Sequence, residues 1–423
     1  MCHHCHEVGD GISRRELLIA AAGTTLAGGF LLRGATAAET AQVTQPESPA
    51  EWPEVRVAWL RPKEKYWLGW PGTAWDVKAY DGFLKSSRAQ LEKFGRELKV
   101  RVTFESEPLY DDAATDAFIA KVKNEKPKGV LLFPLHMQEW GRVRKIAQAG
   151  VPTVIFAGLG VCFTGHIQAI SRQPGVYLIS SPDWELNPVR FGLKMIRTAH
   201  EVRRTRIAVI AGAETKDEVL EPFGLQIRRI PRQRFPDTLK TIEETSDVIA
   251  VAEEYAKAAK KIVEPSRTDL INASKNYFAA KKILDEEGCH GVTMDCLGLV
   301  RDRLIPTPPC MAWCKFLDMG LMGVCEADIN ALMSQVLCCK LLDKPGFQQD
   351  PVPETVNNTF IGAHCVCPTK LNGFDKPGEP FILRSHAESN IGVSLQVLFR
   401  PDMYIMSHWA IISLQIAAMV QSA

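Results

Sequence analysis

The sequence GVLLFP at positions 129–134 is an uninterrupted apolar run, bounded by charged and turn-forming residues. A strand with one face in water would alternate apolar and polar residues, so a continuous run is typical of a parallel strand covered on both faces. Helical stretches flank the run at 111–124 and 139–149, and a second apolar run follows at 151–157. This order predicts a parallel sheet whose crossovers are helices, a doubly wound α/β domain.

The same alternation continues in both directions along the chain. On the amino-terminal side it adds a strand at 55–60, a helix at 75–98 and a strand at 100–104, which completes a first α/β domain at 54–175. A second α/β domain is predicted at 176–352, from the strands 176–179, 207–211 and 292–296 and the helices 189–200, 237–263 and 269–287. Residues 353–423 predict a short, incomplete β-rich domain with an atypical apolar tail. The fold class is therefore α/β, with two Rossmann-like parallel sheets and a small third domain.

The charge balance limits the partners. The chain has 423 residues, of which 50 are basic and 49 acidic, for a formal net charge of +1. No overall field attracts a polyanion, so we expect no nucleic-acid partner and favour a neutral small molecule. We also expect a homo-oligomer.

The amino terminus has the pattern of an export signal. Arg14 and Arg15 precede an uncharged run at 17–32, and small residues follow at 35–38. This pattern predicts a twin-arginine signal peptide at 1–38, a polar linker at 39–53, contact with the twin-arginine export machinery and a periplasmic location. A membrane anchor is the alternative, but the run is short for a bilayer span and diluted by Gly and Thr. The cysteines and histidines at 2–6 would leave with the signal.

Ligand contacts in the first domain would follow the strand ends. His136 comes directly after the apolar run and His166 follows the next strand, so both are candidates, His136 as a substrate-binding residue. Loop histidines with local hydrogen bonds are the alternative. Gly212 also follows a strand, but no glycine-rich fingerprint or Walker lysine accompanies it, which argues against nucleotide binding.

Chemistry-bearing residues concentrate beyond position 291. Glu326 and Asp328 are predicted in the first turn of an apolar helix that runs to about residue 342, where negative charge also suits the helix dipole. Asp350 closes the next loop, and His364 follows a short β-rich segment. Two carboxylates and a histidine suit a hard or borderline divalent metal and proton transfer.

The motif GVCEAD at 323–328 with its helix, the Asp350 turn and the AHC motif at 363–365 resemble the L-fucose isomerase and L-arabinose isomerase superfamily. The resemblance covers about 55–398. It implies aldose–ketose isomerisation through an enediol, with a divalent metal, most often Mn²⁺, and a small neutral sugar as substrate. By the same resemblance, Glu326 and Asp350 bind the metal and move the proton, and His364 contacts the substrate. His386 is a further metal ligand by its place in the fold, or else a surface histidine beside Glu388.

Two further functions stay open. Paired α/β domains also describe exported proteins that bind or sense carbohydrates without converting them. A redox or metal-cluster protein is the third hypothesis, since nine of the 12 cysteines lie from Cys289 onward. The pairs considered are Cys310 with Cys314, Cys338 with Cys339, and Cys365 with Cys367. For these, thiolate–metal bonds, disulfides and buried free thiols are the alternatives.

Overall fold

The computed structural model describes residues 51–64 and 77–400. The predicted signal peptide, the linker as far as residue 50 and the apolar tail beyond residue 400 lie outside these residues. Within the described part of the chain, no helix is both long and apolar enough to cross a bilayer.

The first sheet is fully parallel, with the strand order β2-β1-β3-β4-β5. Its strands are β1 (Glu54–Leu60), β2 (Arg101–Phe104), β3 (Gly129–Pro134), β4 (Thr153–Gly158) and β5 (Val176–Ser181). Its helices are α1 (Val77–Leu98), α2 (Asp112–Glu125), α3 (Trp140–Ala147) and α4 (Thr164–Ile170). All six residues of β3 and of β4 are buried, as the apolar runs predict.

The two faces of β3 enter different cores. Leu131 and Phe133 belong to the core that α1 covers, whereas Val130 and Leu132 belong to the core that α2 and α3 cover. Successive side chains of a strand point to opposite faces, so a strand between two helical layers must be apolar at every position. The predicted fold class is therefore confirmed.

The second sheet has the order β11-β10-β6-β8-β7, and all its neighbouring pairs are parallel except β7–β8. Its strands are β6 (Arg206–Ile210), β7 (Lys216–Leu220), β8 (Leu225–Ile230), β10 (Gly291–Met294) and β11 (Met322–Cys325). Its helices are α5 (Val189–Arg204), α6 (Arg234–Lys240), α7 (Ser246–Ala258), α8 (Arg267–Glu287), α9 (Cys296–Arg301), α10 (Cys310–Asp318) and α11 (Ile329–Leu342).

Helix α5 belongs to a core shared by the two sheets. Its Leu193 lies in one buried cluster with Phe156 of β4 and Val209 of β6. The buried Arg197 of α5 also donates to the Lys340 carbonyl of α11 at 2.7 Å and pairs with Asp343 at 2.8 Å. Apolar packing and a buried cation therefore hold α5 against its neighbours.

Two small sheets complete the fold. Strands β12 (Asp350–Glu354) and β13 (Thr359–Ala363) form an antiparallel hairpin. Strands β14 (Phe381–Arg384) and β15 (Ser394–Val397) pair antiparallel, and β14 also pairs in parallel with the short β9 (Lys261–Ile262). The carboxy-terminal strands thus attach to a segment that precedes α8.

The structure differs from the sequence-based expectations in four places. Strand β5 is the edge of the first sheet, although the predicted boundary at 175 assigns it to the second domain. The helix predicted at 237–263 is two helices followed by β9, and the β7–β8 hairpin is not anticipated. Helix α11 begins only at Ile329, so Glu326 lies before its first turn and Asp328 is its N-cap.

Candidate functional site

A pocket of about 680 Å³ opens at the carboxyl end of the second sheet. Its wall is formed by residues that follow β10 and β11, by the β12–β13 hairpin and by the β14–β15 pair. Open α/β sheets bind ligands beyond the carboxyl ends of their strands, so the location is one where binding is expected. Its ionisable residues are the carboxylates Glu264, Glu326, Asp350 and Glu388, with His364, His386, Arg384 and the thiols Cys296, Cys310 and Cys365.

A left-handed turn positions Glu326. The backbone leaves β11 with φ +65° at Glu326 and +54° at Ala327, values that residues other than glycine adopt only at a cost. The Ala327 amide donates to the Met294 carbonyl of β10 at 3.0 Å. Asp328 then accepts the amides of Asn330 and Ala331 at 2.7 and 2.9 Å and starts α11. The strained turn is thus held at both ends, with Glu326 in the pocket wall.

The hairpin register positions Asp350 beside His364. Asp350 pairs with Ala363, the residue before His364, and the distance between Asp350 Oδ2 and His364 Nε2 is 3.8 Å. Asp350 is largely exposed, whereas the His364 side chain is 3% exposed. One ligand atom from each of Glu326, Asp350 and His364 lies within 4.8 Å of the others. The structure therefore brings these three predicted site residues together.

The charges of Glu326, Asp350 and His364, which together we call the carboxylate group, offset one another. Partial burial in the pocket wall raises the pKa of Glu326, and the nearby Asp350 raises it further, whereas His364 lowers it. For His364, burial lowers the pKa, but a hydrogen bond to Cys365 and the two carboxylates outweigh it and raise the pKa overall. The group therefore favours a positive charge between the carboxylates, supplied by the imidazolium or by a bound cation.

His386 lies with thiols rather than with the carboxylate group. Its ring has a nitrogen within 4.8 Å of the Sγ atoms of Cys310 and Cys365. Its Nδ1 lies 3.0 Å from the Ser389 hydroxyl oxygen and 3.3 Å from the Ser389 amide. The predicted grouping of His386 with Glu326 and Asp350 is therefore not what the structure has. His386 is also buried, which differs from the surface-loop alternative.

The two histidines of the first sheet have local roles. His136 caps a short turn, with Nδ1 accepting the Gln138 amide at 3.3 Å. His166 accepts the Phe163 amide at 3.1 Å and stacks on Trp140 with ring centroids 5.1 Å apart. Neither lines the pocket, so the structure does not bring the predicted substrate contact His136 to this site.

Four cysteines converge at one side of the pocket, and we call them the thiol cluster: Cys296, Cys310 and Cys365, which line the pocket, and Cys325, which does not. The Sγ atoms of Cys325 and Cys365 are 3.9 Å apart, and Cys365 Sγ is 3.5 Å from His364 Nδ1. Hydrogen bonds with Cys310, Cys325 and the two histidines hold the pKa of Cys365 far below its ordinary value, although burial opposes this. All ten cysteines among the described residues are free thiols.

Sequence spacing did not reveal the thiol cluster, because its members come from different elements. The sequence pairs considered were Cys310 with Cys314 and Cys365 with Cys367, each a few residues apart. The useful signal was position: Cys296 and Cys310 begin helices, Cys325 ends β11, and Cys365 follows β13.

Comparisons with known proteins give no family. No family model matches the chain, and no curated protein matches it. Among solved structures, it is similar to a periplasmic solute-binding protein of an ABC transporter from Actinobacillus succinogenes with bound D-allose. That match has 12% identity and a TM-score of 0.21, and it covers 71% of this chain and 96% of that one.

Two further solved structures are similar at the same level. A solute-binding protein of an ABC transporter from Agrobacterium vitis, bound with α-D-tagatopyranose, matches with 14% identity and a TM-score of 0.20, covering 70% of this chain and 90% of that one. LsrB from Clostridium saccharobutylicum in complex with AI-2 matches with 10% identity and a TM-score of 0.19, covering 80% of this chain and 94% of that one.

These findings contradict the resemblance to the isomerase superfamily. No model of that superfamily matches the chain. The predicted membership and the aldose–ketose isomerisation are therefore wrong, whereas the divalent metal, with Mn²⁺ as the first choice, stays a prediction. Short motifs such as GVCEAD carried the resemblance, and a strand end followed by a capped helix produces the same residue types for structural reasons.

Proposed function

We propose that this protein binds a small neutral carbohydrate in the pocket at the carboxyl end of the second sheet and does not convert it. The observation that carries the proposal is the composition of the pocket wall. Four carboxylates there can accept hydrogen bonds from hydroxyl groups, and the side-chain amides of Asn390 and Gln396 can both donate and accept. A sugar presents many hydroxyls in a small volume, so it matches this wall.

The size and the apolar part of the wall support the same ligand class. A volume of about 680 Å³ lies within the usual range of small-molecule sites. Val352, Ile361 and Leu395 add an apolar surface that can pack against the C–H face of a sugar ring. An anionic ligand is disfavoured by the excess of carboxylates, which agrees with the nearly neutral chain.

One wall of the pocket is fixed by an ion pair. Arg384 donates to both oxygens of Glu264 at 2.7 to 3.1 Å, and also to the Gln396 side chain at 3.1 Å. This network holds polar groups in position before a ligand arrives. Preorganised groups lose less entropy on binding, which favours affinity.

A divalent cation is part of this proposal. Glu326, Asp350 and His364 offer two carboxylates and an imidazole, which suit a hard or borderline cation. When bound, the cation would supply a positive centre for sugar hydroxyl oxygens. The three residues would hold it at the mouth of the pocket, where Asp350 is exposed.

Calorimetry with a panel of aldoses, ketoses and polyols tests the proposal, with and without a chelator. We expect saturable heat for at least one neutral sugar, and an unchanged NMR spectrum of that sugar after prolonged incubation. If the chelator weakens binding of the sugar, the result supports a bound cation. If the chelator has no effect, the carbohydrate site stands and the proposed cation is contradicted. No heat with any neutral sugar, in the presence of divalent cations, would overturn the function.

Export is a separate proposal. The paired arginines at 14 and 15 would direct the protein to the periplasm through the twin-arginine route. Cell fractionation of the full chain and of a variant with both arginines replaced by lysine tests this. Equal periplasmic amounts of the two proteins would contradict it.

A further inference from the structure

Two cysteines of the thiol cluster and the neighbouring His386 have the chemistry of a metal site. Cys310 is the first residue of α10, Cys365 follows β13 by two residues, and His386 follows β14 by two residues. One ligand atom from each lies within 4.8 Å of the others, and Cys310 and His386 are almost fully buried. Three segments far apart in sequence thus deliver two thiols and an imidazole to one point.

We propose that Cys310, Cys365 and His386 bind a thiophilic divalent metal ion of the zinc type. Two thiolates and an imidazole are ligands that zinc prefers, and hard cations such as Mg²⁺ or Ca²⁺ prefer oxygen. Two thiolates on a tetrahedral zinc ion lie about 3.8 Å apart, and a thiolate and an imidazole nitrogen about 3.6 Å apart. From separations within 4.8 Å, the side chains need to close by about 1 Å at most.

Neighbouring groups prepare these ligands. Ser389 contacts Nδ1 of His386 and fixes the ring orientation. Metal-bound histidines commonly have such a hydrogen-bond partner on the ring nitrogen that does not bind the metal. A hydrogen bond to Cys365 and burial raise the pKa of the Cys310 thiol, so this ligand would release its proton on binding the metal. Cys325, with its sulfur 3.9 Å from that of Cys365, supplies a further thiol contact from the buried side.

The site would keep one coordination position open. Cys310, Cys365 and His386 all line the pocket, so a tetrahedral ion that they bind could take its fourth ligand from the pocket. Zinc sites with three protein ligands and an open position bind water or a ligand oxygen there. The metal would therefore contact the pocket's occupant directly, separately from a cation on the carboxylate group.

A competing arrangement uses the same central cysteine. Cys325, His364 and Cys365 also lie within 4.8 Å of one another. The two arrangements differ in their histidine, because His386 belongs to the first and His364 to the second. Cys325 does not line the pocket, so the competing site would lie deeper and lack the open position.

Titration of the reduced full chain with Co²⁺, followed by displacement with Zn²⁺, tests the proposal. We expect one equivalent of Co²⁺ to give a thiolate-to-cobalt charge-transfer band and the intense visible bands of tetrahedral coordination. Co²⁺ on Glu326, Asp350 and His364, which have no thiolate, would not contribute to the charge-transfer band. Cys365→Ser should weaken the charge-transfer band, because it removes one of the two thiolate ligands. Cys310→Ser and His386→Gln should each weaken metal affinity by at least about 10-fold, since each removes a direct ligand.

The control is Cys338→Ser, a buried thiol outside the cluster, which should retain the cobalt spectrum and the affinity. His364→Gln distinguishes the competing arrangement and should retain the charge-transfer band, and circular dichroism should show that every variant is folded. The proposal is overturned if the reduced protein gives no charge-transfer band. It is also overturned if His364→Gln loses affinity while His386→Gln does not, or if Cys310 and Cys365 are found in disulfides and reduction does not restore metal binding.

Discussion

Asp350 Oδ2 lies 3.8 Å from His364 Nε2 because the hairpin register sets Asp350 opposite Ala363. The two residues are 14 positions apart, and their proximity depends on a turn that neither belongs to. The same pair lies at the mouth of the pocket, next to Glu326. Variants of these three residues therefore test the site most directly.

Glu326→Gln should weaken binding of a neutral sugar by at least about 10-fold, because the amide neither holds a cation nor accepts hydroxyl hydrogen bonds as strongly. Calorimetry with the sugar found by the panel measures this change. Glu92→Gln, on the exposed side of α1, is the matched control and should bind like the unchanged protein. Equal affinities of the two variants would exclude Glu326 from the site.

Ala327→Gly should raise the free energy of unfolding by roughly 0.5 to 1 kcal/mol. Ala327 has φ +54°, a region that glycine adopts without the steric cost of a Cβ atom. Ala327→Val, whose branched side chain fits this region worse, should lower the free energy instead. Urea unfolding of the three proteins measures the difference, and an identical midpoint for all would show that the turn stores no strain.

Arg197→Met should destabilise the fold by about 2 to 3 kcal/mol. The substitution removes one of two side-chain donors to the Lys340 carbonyl, because Thr198 Oγ1 remains at 3.2 Å, and it leaves Asp343 without its buried partner, while it keeps much of the apolar volume. Arg172→Met, at an exposed position, is the control and should change stability little. Comparable unfolding midpoints would show that the α5–α11 contact depends on apolar packing alone.

Because of Glu139, the free energy of unfolding should fall as the pH rises from 4.5 to 7. Burial raises its pKa to about 7, although Arg142 opposes the shift. A carboxyl whose pKa is raised in the folded protein binds its proton more tightly there than in the unfolded chain. Its contribution is therefore complete below about pH 4.5 and is lost as pH approaches 7, on the order of 3 kcal/mol in total. Glu139→Gln should flatten the free energy of unfolding between pH 4.5 and 7, as measured by denaturant titrations across that range, and an unchanged slope would contradict the shift.

Periodicity alone predicted the first sheet well. Strands buried on both faces must be apolar throughout, so β3 and β4 are recognisable without knowledge of their partners. The β7–β8 hairpin was missed because β7 is mostly exposed and rich in charge, and the short β9 depends on its pairing with β14. Local patterns do not record such pairings.

The candidate site was predictable only in part. The structure brings Glu326, Asp350 and His364 together, and each lies at the boundary of a strand, a position visible in the sequence. His386 joined a different group, and His136 lies away from the pocket, because both assignments depended on long-range packing. The thiol cluster escaped notice for the same reason.

The pairing of β9 with β14 also bears on how the chain acquires its site. Arg384 meets Glu264 across a separation of 120 residues, so the wall that they form exists only after most of the chain has left the ribosome. Contacts of such long range are slow to form, and the two five-stranded sheets can assemble before them. Ligand binding would therefore report completion of the fold, and a nascent chain arrested before β15 would have its sheets without its pocket.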